Sequence, residues 1–293
     1  MPEPERIPPS VVVGVDGSRW ATEAACWAVD EAVRRAIPLR LVYAVDSGED
    51  NDSAERSDDA QRIARQFAAA QTAVRCTAAA VESTDRPVKI EAEIVQQHPV
   101  AALLDASRGA AMLCVGAIGL NHVRDRHIGS TATALATAAH CPVAVVRGHD
   151  PVASAQRCVA VELDGSTGEA ALRHGFDEAR SRGAPLRVLT TWRSRYPDIH
   201  DGHAVAAGNR DAKAALERRL KCWRARYPEV DVTTVALHGN SLSYLLTHGD
   251  SIQLLVVAHE RGQGIAELLG AAGNAVLAQA DCSVLVCEPQ NLL

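Results

Sequence analysis

Residues 111–136 have the sequence AMLCVGAIGLNHVRDRHIGSTATALA, in which an apolar run leads through glycines into a Ser/Thr-rich segment. The apolar run predicts a buried strand, Gly116 and Gly119 predict a turn, and the segment after Gly129 predicts the start of a helix. Glycines let a backbone approach an anion closely, and a helix N-terminus supplies free N–H groups and a positive dipole end. The stretch therefore predicts a phosphate cradle whose ligand is a nucleotide or a similar polyphosphate.

The two halves of the chain repeat one pattern. Residues 12–18, VVGVDGS, match residues 160–166, AVELDGS, and both place Asp-Gly-Ser after a short apolar strand. Residues 140–146, HCPVAVV, match residues 281–287, DCSVLVC. Because a length of 293 residues suits two domains, we predict a tandem duplication with a seam near Gly148. The predicted domains span residues 1–150 and 151–293.

Each half of the chain alternates short Val/Ile/Leu runs with helical patterns. Runs that are apolar on both faces are typical of buried parallel strands. In the first half, such runs predict strands at about residues 10–16, 39–45, 88–95, 111–116 and 142–147. Strands separated by helices imply right-handed crossovers. We therefore predict an α/β fold in which each domain is an open five-stranded parallel sheet with helices on both faces.

Composition and charge exclude several classes of function. A net charge of −6 argues against nonspecific nucleic-acid binding, which needs a basic surface. No apolar run is long enough to span a bilayer, and residues 1–6, MPEPER, lack the apolar core of a signal peptide. We therefore expect a cytoplasmic protein that binds neither nucleic acid nor membrane. The eight cysteines form no C-x-x-C pair, which favours buried reduced thiols over metal or redox chemistry.

Three motifs occur together in one order. They are a Val-x-Val-Asp-Gly-Ser start at residues 13–18, a Gly-x-x-Gly-x9-Gly-Ser pattern at residues 116–130 and a Cys-Pro-Val-x-Val-Val strand at residues 141–146. In this combination the chain resembles the universal stress protein family over nearly its whole length, as two tandem domains. The resemblance implies a sheet of strand order 3-2-1-4-5. In the family's ATP-binding members, adenosine lies near the ends of the first two strands and the triphosphate lies on the glycine loop. That position agrees with the rule that open α/β sheets bind ligands where the strand order reverses.

The resemblance assigns roles to residues of the first domain that match the family's motifs. Asp16 is expected to contact the adenosine and Ala44 to touch the base. The residues expected to border or contact the adenosine are Val15, Asp16, Gly17 and Ala44. The residues expected to allow close backbone approach or to hold phosphates are Gly116, Gly119, Gly129, Ser130 and Thr131. The implied cofactor is ATP, with an accompanying Mg²⁺ left open.

Each of these assignments has an alternative that needs no ligand. Asp16 and Ser18 are equally typical of a helix cap and the turn before it. Gly116 and Gly119 would also suit a tight turn alone. The hydroxyl residues that follow Gly129 would also suit a helix cap.

The first domain departs from the family's pattern between Gly119 and Gly129, where charged residues replace small ones. Arg124 and Arg126 would add charge-assisted contacts to a triphosphate, so we include both among the candidate nucleotide-binding residues. The alternatives are a solvated loop, or side chains that block the usual position of the ligand.

The second domain keeps the Asp-Gly-Ser motif but loses the cradle. Ala258 and Arg261 stand in place of the first two glycines, and Ala271 replaces the serine on the phosphate side. A side chain at Arg261 obstructs backbone approach and Ala271 lacks a hydroxyl, so we expect weak ATP binding or none. The domain would then be an intramolecular partner of the first. The family's domains commonly pair through their fifth strands, so the resemblance implies pairing near residues 142–147 and 283–288, where unpaired strand edges supply a physical reason. A homodimer is left open.

These observations predict an ATP-binding regulatory protein of the stress response. Nucleotide in the N-terminal domain would alter the order of the loop at residues 117–131 and so the binding of an unidentified protein partner. The alternative is an interaction or scaffold protein of the same fold that binds no nucleotide. The sequence has no G-x-x-x-x-G-K-[ST] loop and no base placed to activate water, so we expect no enzyme and nominate no catalytic or metal-ligating residue. Slow ATP hydrolysis as a by-product of binding is left open.

Overall fold

The computed structural model describes residues 9–46, 56–120, 127–148, 157–164, 168–193, 202–258 and 268–287. The chain divides into two compact units, Met1–His149 and Asp150–Leu293. Within the described ranges, no helix is both long and apolar enough to cross a lipid bilayer.

The first unit is built on a five-stranded parallel sheet. Its strands are β1 (Ser10–Gly14), β2 (Leu39–Val45), β3 (Ile90–Gln96), β4 (Ala110–Gly116) and β5 (Val143–Val146). Strand β1 pairs with β2 and β4, β2 pairs with β3, and β4 pairs with β5, all in parallel. The strand order is therefore 3-2-1-4-5, which confirms the predicted fold.

Helices cover both faces of this sheet. They are α1 (Arg19–Arg35), α2 (Arg56–Glu82), α3 (Pro99–Ser107) and α4 (Ser130–Ala138). A Cβ on Gly14 would point at Leu103 of α3, whereas a Cβ on Gly116 would point at Trp20 of α1. The register of β1 against β4 sets Gly14 beside Val115, so Gly14 and Gly116 face opposite sides of the sheet.

The core of the first unit is made of small aliphatic side chains. Val11, Val12 and Val13 are fully buried in β1. The buried stripe of α1 includes Ala21, Ala24, Ala25, Ala28 and Ala32. With aromatics at only 3% of the chain, this alanine stripe lets the helix lie close to the sheet without leaving voids.

Strand β1 is two residues shorter than predicted. It ends at Gly14 rather than at residue 16. The reason is a turn that begins at Asp16, whose Oδ1 accepts a hydrogen bond from the backbone N–H of Ser18 at 2.8 Å. A side chain that bonds the backbone two residues on makes a local turn and competes with strand pairing.

The second unit repeats the topology of the first. Its strands are β6 (Cys158–Asp164), β7 (Leu186–Trp192), β8 (Val232–His238), β9 (Ile252–Ala258) and β10 (Ser283–Cys287). Its helices are α5 (Glu169–Arg182), α6 (Gly202–Arg226), α7 (Leu242–His248) and α8 (Ala271–Ala280). Strand β6 pairs with β7 and β9, β7 with β8, and β9 with β10, all in parallel. The order 3-2-1-4-5 therefore recurs within this unit.

Candidate functional site

A cavity of about 330 Å³ opens at the carboxyl ends of β1, β2 and β4 in the first unit. Its wall is formed by the three strand ends, by α3 and by the segments on either side of residues 121–126, which lie outside the described ranges. The lining residues are Gly14, Val15, Asp16, Ser18, Ala21, Val42, Tyr43, Ala44, Pro99, Leu103, Val115, Gly116, Ile118, Gly119, Leu120, Gly129, Ser130, Thr131 and Ala132. Since β1 lies between β2 and β4, the cavity is at the reversal of strand order, where open α/β sheets place their ligands.

The turn after β1 both caps a helix and faces the cavity. Ser18 is the N-cap of α1, and its Oγ accepts a hydrogen bond from Ala21 N–H at 3.1 Å. Gly17 has a φ of 86°, a conformation that favours glycine, and it is not among the lining residues. The capping alternative for Asp16 and Ser18 therefore describes real contacts, while Asp16 also lines the cavity.

Asp16 connects this turn to the segment after β4. Its Oδ2 accepts a hydrogen bond from the backbone N–H of Leu120 at 3.4 Å. A Cβ on Gly119 would lie 3.3 Å from the same oxygen, so a larger residue there would crowd the carboxylate. The glycine at 119 thus serves a close approach of the loop backbone to Asp16.

Gly116 lines the cavity and also lies against the first turn of α1. A Cβ at this position would lie 2.7 Å from the backbone carbon of Trp20 and 2.9 Å from the backbone nitrogen of Ala21. Both atoms belong to the first turn of α1, so the backbone that approaches Gly116 is that of the helix. A substitution at Gly116 therefore acts first on the packing of β4 against α1.

The helix that follows the glycine segment presents uncapped N–H groups to the cavity. Gly129 N–H donates a hydrogen bond to Ala117 C=O at 2.8 Å, which joins the backbone before the glycine segment's charged residues to the start of α4. Gly129 is the N-cap of α4 and has no side-chain cap, so Ser130 is not the capping residue. The first backbone N–H groups of such a helix are free to bind an anion. Ser130 and Thr131 stand beside them on the cavity wall.

Arg124 and Arg126 lie outside the described residues, so their contact with phosphate stays a prediction. His127 and Ile128, which precede the N-cap of α4, are described, with Ile128 buried and His127 exposed.

The edge of β2 leaves main-chain groups at the cavity. Val15 N–H donates to Val42 C=O at 2.9 Å, and the β1–β2 register ends with Gly14 beside Val42. Backbone groups of alternate strand residues point to the same neighbour, so those of Ala44 point toward β1 beyond the end of this pairing. The backbone N–H and C=O of Ala44 thus lie on the β1 side of β2, at the predicted base position.

Tyr43 is a cavity residue that sequence reasoning missed. Burial, and secondly the negative charge of Asp16, raise the pKa of the Tyr43 phenol above its ordinary value. The phenol therefore stays neutral and can donate a hydrogen bond close to the Asp16 carboxylate.

Gly14, Pro99 and Leu103 were also missed. A glycine inside a strand pattern signals close approach of a ligand or another chain segment, so Gly14 was detectable. Pro99 and Leu103 carry no such signal, because only the packing of α3 on the sheet brings them to the cavity.

The second unit keeps the framework of this site with different residues. Ala258 ends β9 at the position of Gly116, and α8 begins at Ala271 with Gly270 as its N-cap. Arg261 lies outside the described residues. Weak ATP binding by this unit therefore stays a prediction.

The chain is similar to known proteins over nearly all its length. The universal stress protein family model matches residues 9–147 and again residues 157–288. Universal stress protein Rv2028c of Mycobacterium tuberculosis is 45% identical over 287 residues, covering 97% of this chain and 98% of that protein. Universal stress protein Rv3134c of the same organism is 41% identical over 294 residues, covering 99% of each. A universal stress protein structure from Archaeoglobus fulgidus covers 96% of this chain and 97% of its own, with a TM-score of 0.69 at 15% identity, and supports the fold alone.

Proposed function

The chain belongs to the universal stress protein family, and on that premise we propose that it is a cytoplasmic, ATP-binding regulatory protein of the stress response. The nucleotide would bind in the first unit, and the second unit would act as its intramolecular partner. One observation carries the proposal: residues from four separate segments, Asp16, Ala44, Gly119 and the start of α4, line one cavity. We propose no catalytic step.

The strand end suits an adenosine group. Ala44 offers a backbone N–H and C=O together, and the Watson–Crick edge of adenine carries an acceptor beside an amino donor. Val42 and Leu103 supply apolar wall for the flat faces of the base. The Asp16 carboxylate accepts hydrogen bonds only, which suits the hydroxyl donors of a ribose.

The helix end suits phosphates. The free N–H groups at the start of α4 and its positive dipole end favour an anion. The Ser130 and Thr131 hydroxyls add donors at the same place. The residues present therefore fit a nucleotide whose base lies at β2 and whose phosphates lie at α4.

A regulatory role follows from the Asp16–Leu120 hydrogen bond. A ribose hydroxyl that donates a hydrogen bond to Asp16 would weaken or strengthen the hydrogen bond that this carboxylate accepts from Leu120 N–H. Occupancy of the cavity would then alter the order of the loop at residues 117–131 and so the binding of a protein partner. A ligand shifts such an equilibrium only by its difference in affinity for the two loop states.

The test is the nucleotide content and ATP affinity of the purified protein. We expect about one ATP per chain by calorimetry, and an affinity about tenfold weaker in the Ser130→Ala, Thr131→Ala double variant. Thr137→Ala is the matched control, because its hydroxyl bonds the carbonyls of Thr133 and Ala134 within α4. Absence of ATP binding at millimolar concentration would refute the proposal. Unchanged ATP affinity in the double variant would show that the phosphates do not bind at the start of α4.

A second candidate, an interaction protein that binds no nucleotide, has one observation in its favour. Leu120 is 55% exposed at the cavity rim, and it is one of two large hydrophobic residues that stand exposed in the described part of the chain. In this candidate, Leu120 would be one apolar contact of the protein partner. Partner binding that is the same with and without ATP would favour this candidate.

A further inference from the structure

Among the differences between the first strands of the two sheets, one replaces a glycine of the first unit by a charged residue in the second. The β1–β2 register begins with Val11 beside Leu39 and places Gly14 beside Val42. The β6–β7 register begins with Val159 beside Leu186 and places Glu162 beside Leu189. Gly14 and Glu162 each come three residues after the first residue paired in their register. Each also comes two residues before the Asp of Asp-Gly-Ser. Glu162 therefore occupies in the second unit the place of Gly14 in the first.

Gly14 keeps the floor of the first cavity open. It is one of the lining residues. A Cβ placed on it would lie 2.8 Å from Leu103 Cδ1 and 3.2 Å from Val115 Cγ1, so even one extra carbon would enter occupied space. A longer side chain would have to project into the cavity itself, toward the base position beside Ala44.

The side chain of Glu162 points to the corresponding face of the second sheet. Val161 contacts the α5 glycine Gly175, so Val161 faces α5. Successive strand residues face opposite sides, so Glu162 faces the side of the sheet away from α5. Leu245 of α7 is buried and matches Leu103 of α3 in its place along the chain. Glu162 is half-buried in this environment.

We propose that the residue at this strand position decides which unit accepts a nucleotide, glycine admitting the base and glutamate excluding it. The inference rests on the proposed ATP site of the first unit. A glutamate here takes up the volume beneath the base. It also adds a negative charge at the place where a polyanion would bind.

Two separate causes would then weaken nucleotide binding by the second unit. Loss of the cradle at Ala258 and Ala271 weakens the hold on phosphates, whereas Glu162 acts on the base and ribose. Adenosine has no phosphate, so it probes the second cause alone. We expect the wild-type protein to bind adenosine at one site.

The test uses calorimetric titration of the full chain with ATP and with adenosine. We expect Gly14→Glu to abolish ATP binding at millimolar concentration and Gly14→Ala to weaken it about tenfold. Gly109→Ala is the matched control, because a Cβ on Gly109 meets nothing within 4 Å. In the second unit, we expect Glu162→Gly to add a weak second adenosine site.

The Gly14 variants need a control that shows they are folded. The atom nearest to a Cβ on Gly14 is the end of the Leu103 side chain, which is flexible. We therefore expect Gly14→Ala to fold, with a free energy of unfolding within about 3 kcal/mol of wild type. Thermal melting of each variant confirms that it is folded.

Two results would overturn the inference while leaving the proposed function intact. One is a folded Gly14→Glu or Gly14→Ala protein that binds ATP as wild type does. The other is a Glu162→Gly protein that still has a single adenosine site. A wild-type protein that binds no ATP would instead refute the proposed function, and the inference with it.

Discussion

Asp16 Oδ2 accepts a hydrogen bond from Leu120 N–H at 3.4 Å, across more than one hundred residues of sequence. The other oxygen of the same carboxylate accepts from Ser18 N–H at 2.8 Å. One side chain therefore holds both the turn that starts α1 and the backbone that leaves β4. This double contact makes Asp16 the residue through which a ligand in the cavity would affect the loop.

Replacing Asp16 tests this link. We expect Asp16→Ala to lower the free energy of unfolding by about 2 kcal/mol, because two hydrogen bonds to a charged group are lost at a partly buried site. ATP affinity should fall about tenfold in calorimetry. Asp30→Ala is the control: its ion pair with Arg86 is half exposed on both sides, and such pairs contribute about 0.5 kcal/mol or less. Equal effects of the two substitutions would contradict the role of Asp16.

Gly116 is predicted to be a stability residue. In Gly116→Ala the new Cβ would meet backbone atoms of Trp20 and Ala21, which cannot rotate away. We expect a loss of about 1–3 kcal/mol in chemical denaturation, the usual cost of overpacking. Gly109 comes one residue before β4, and a Cβ there meets nothing within 4 Å. Gly109→Ala should therefore change the free energy of unfolding by less than about 0.5 kcal/mol. A Gly116→Ala protein as stable as Gly109→Ala would show that β4 and α1 are not in close contact.

Gly208 supports an aromatic cluster in the second unit. Trp192 donates a hydrogen bond from Nε1 to Asn209 Oδ1 at 2.7 Å and packs against His238, with ring centroids 4.5 Å apart. A Cβ on Gly208 would overlap the Trp192 ring. We expect Gly208→Ala to displace the ring, lower stability by about 1–3 kcal/mol and change tryptophan fluorescence.

Gly202→Ala is the matched control in the same helix, because a Cβ there meets nothing within 4 Å. It should leave fluorescence as in wild type. Identical spectra for wild type, Gly202→Ala and Gly208→Ala would contradict the packing of Trp192 on α6.

Alkaline pH should destabilise the protein. Burial raises the pKa of Tyr43 and Tyr227 above 10.0, with Asp16 and Asp177 adding to the shift. Burial also raises the pKa of the Cys26 and Cys158 thiols above 9.0. The folded state therefore holds these protons more tightly than the unfolded state. Stability is fully present below the unfolded values and falls as pH rises from about 9 through the raised values.

The measurement is the urea midpoint as a function of pH. We expect Tyr43→Phe to make the decline above about pH 10 shallower, since the phenol that must ionise is gone. Asp16→Asn should have a smaller effect of the same sign, because it removes only the second cause of the Tyr43 shift. A decline as steep in Tyr43→Phe as in wild type would assign the alkaline loss to other groups.

Much of the fold was predictable because its signals are local. Strand β2 has the predicted bounds, residues 39–45, since its apolar run stands between clear breaks. The error at β1 is equally local: the apolar pattern continues to Val15, but the Asp16 side chain bonds the backbone and ends the strand at Gly14. Hydrophobic pattern and turn chemistry compete at such ends, and pattern alone does not rank them.

The candidate site was predictable in part. The named residues that line the cavity are Val15, Asp16, Ala44, Gly116, Gly119, Gly129, Ser130 and Thr131. Gly116 also lies against the backbone of α1, a contact that the motif did not predict. Gly17 was named for its place in the motif, and its positive φ serves the turn between Asp16 and Ser18.

The sequence by itself determined the duplication, the α/β class, the strand order through the family resemblance, and the glycine segment before α4. These depend on periodicity and motifs, which are properties of neighbouring residues. Only the tertiary structure decided that Leu103 covers Gly14 and that Trp20 lies against Gly116. The physical reason is that these contacts join segments far apart in the chain, and their distances arise only when helices pack on the sheet.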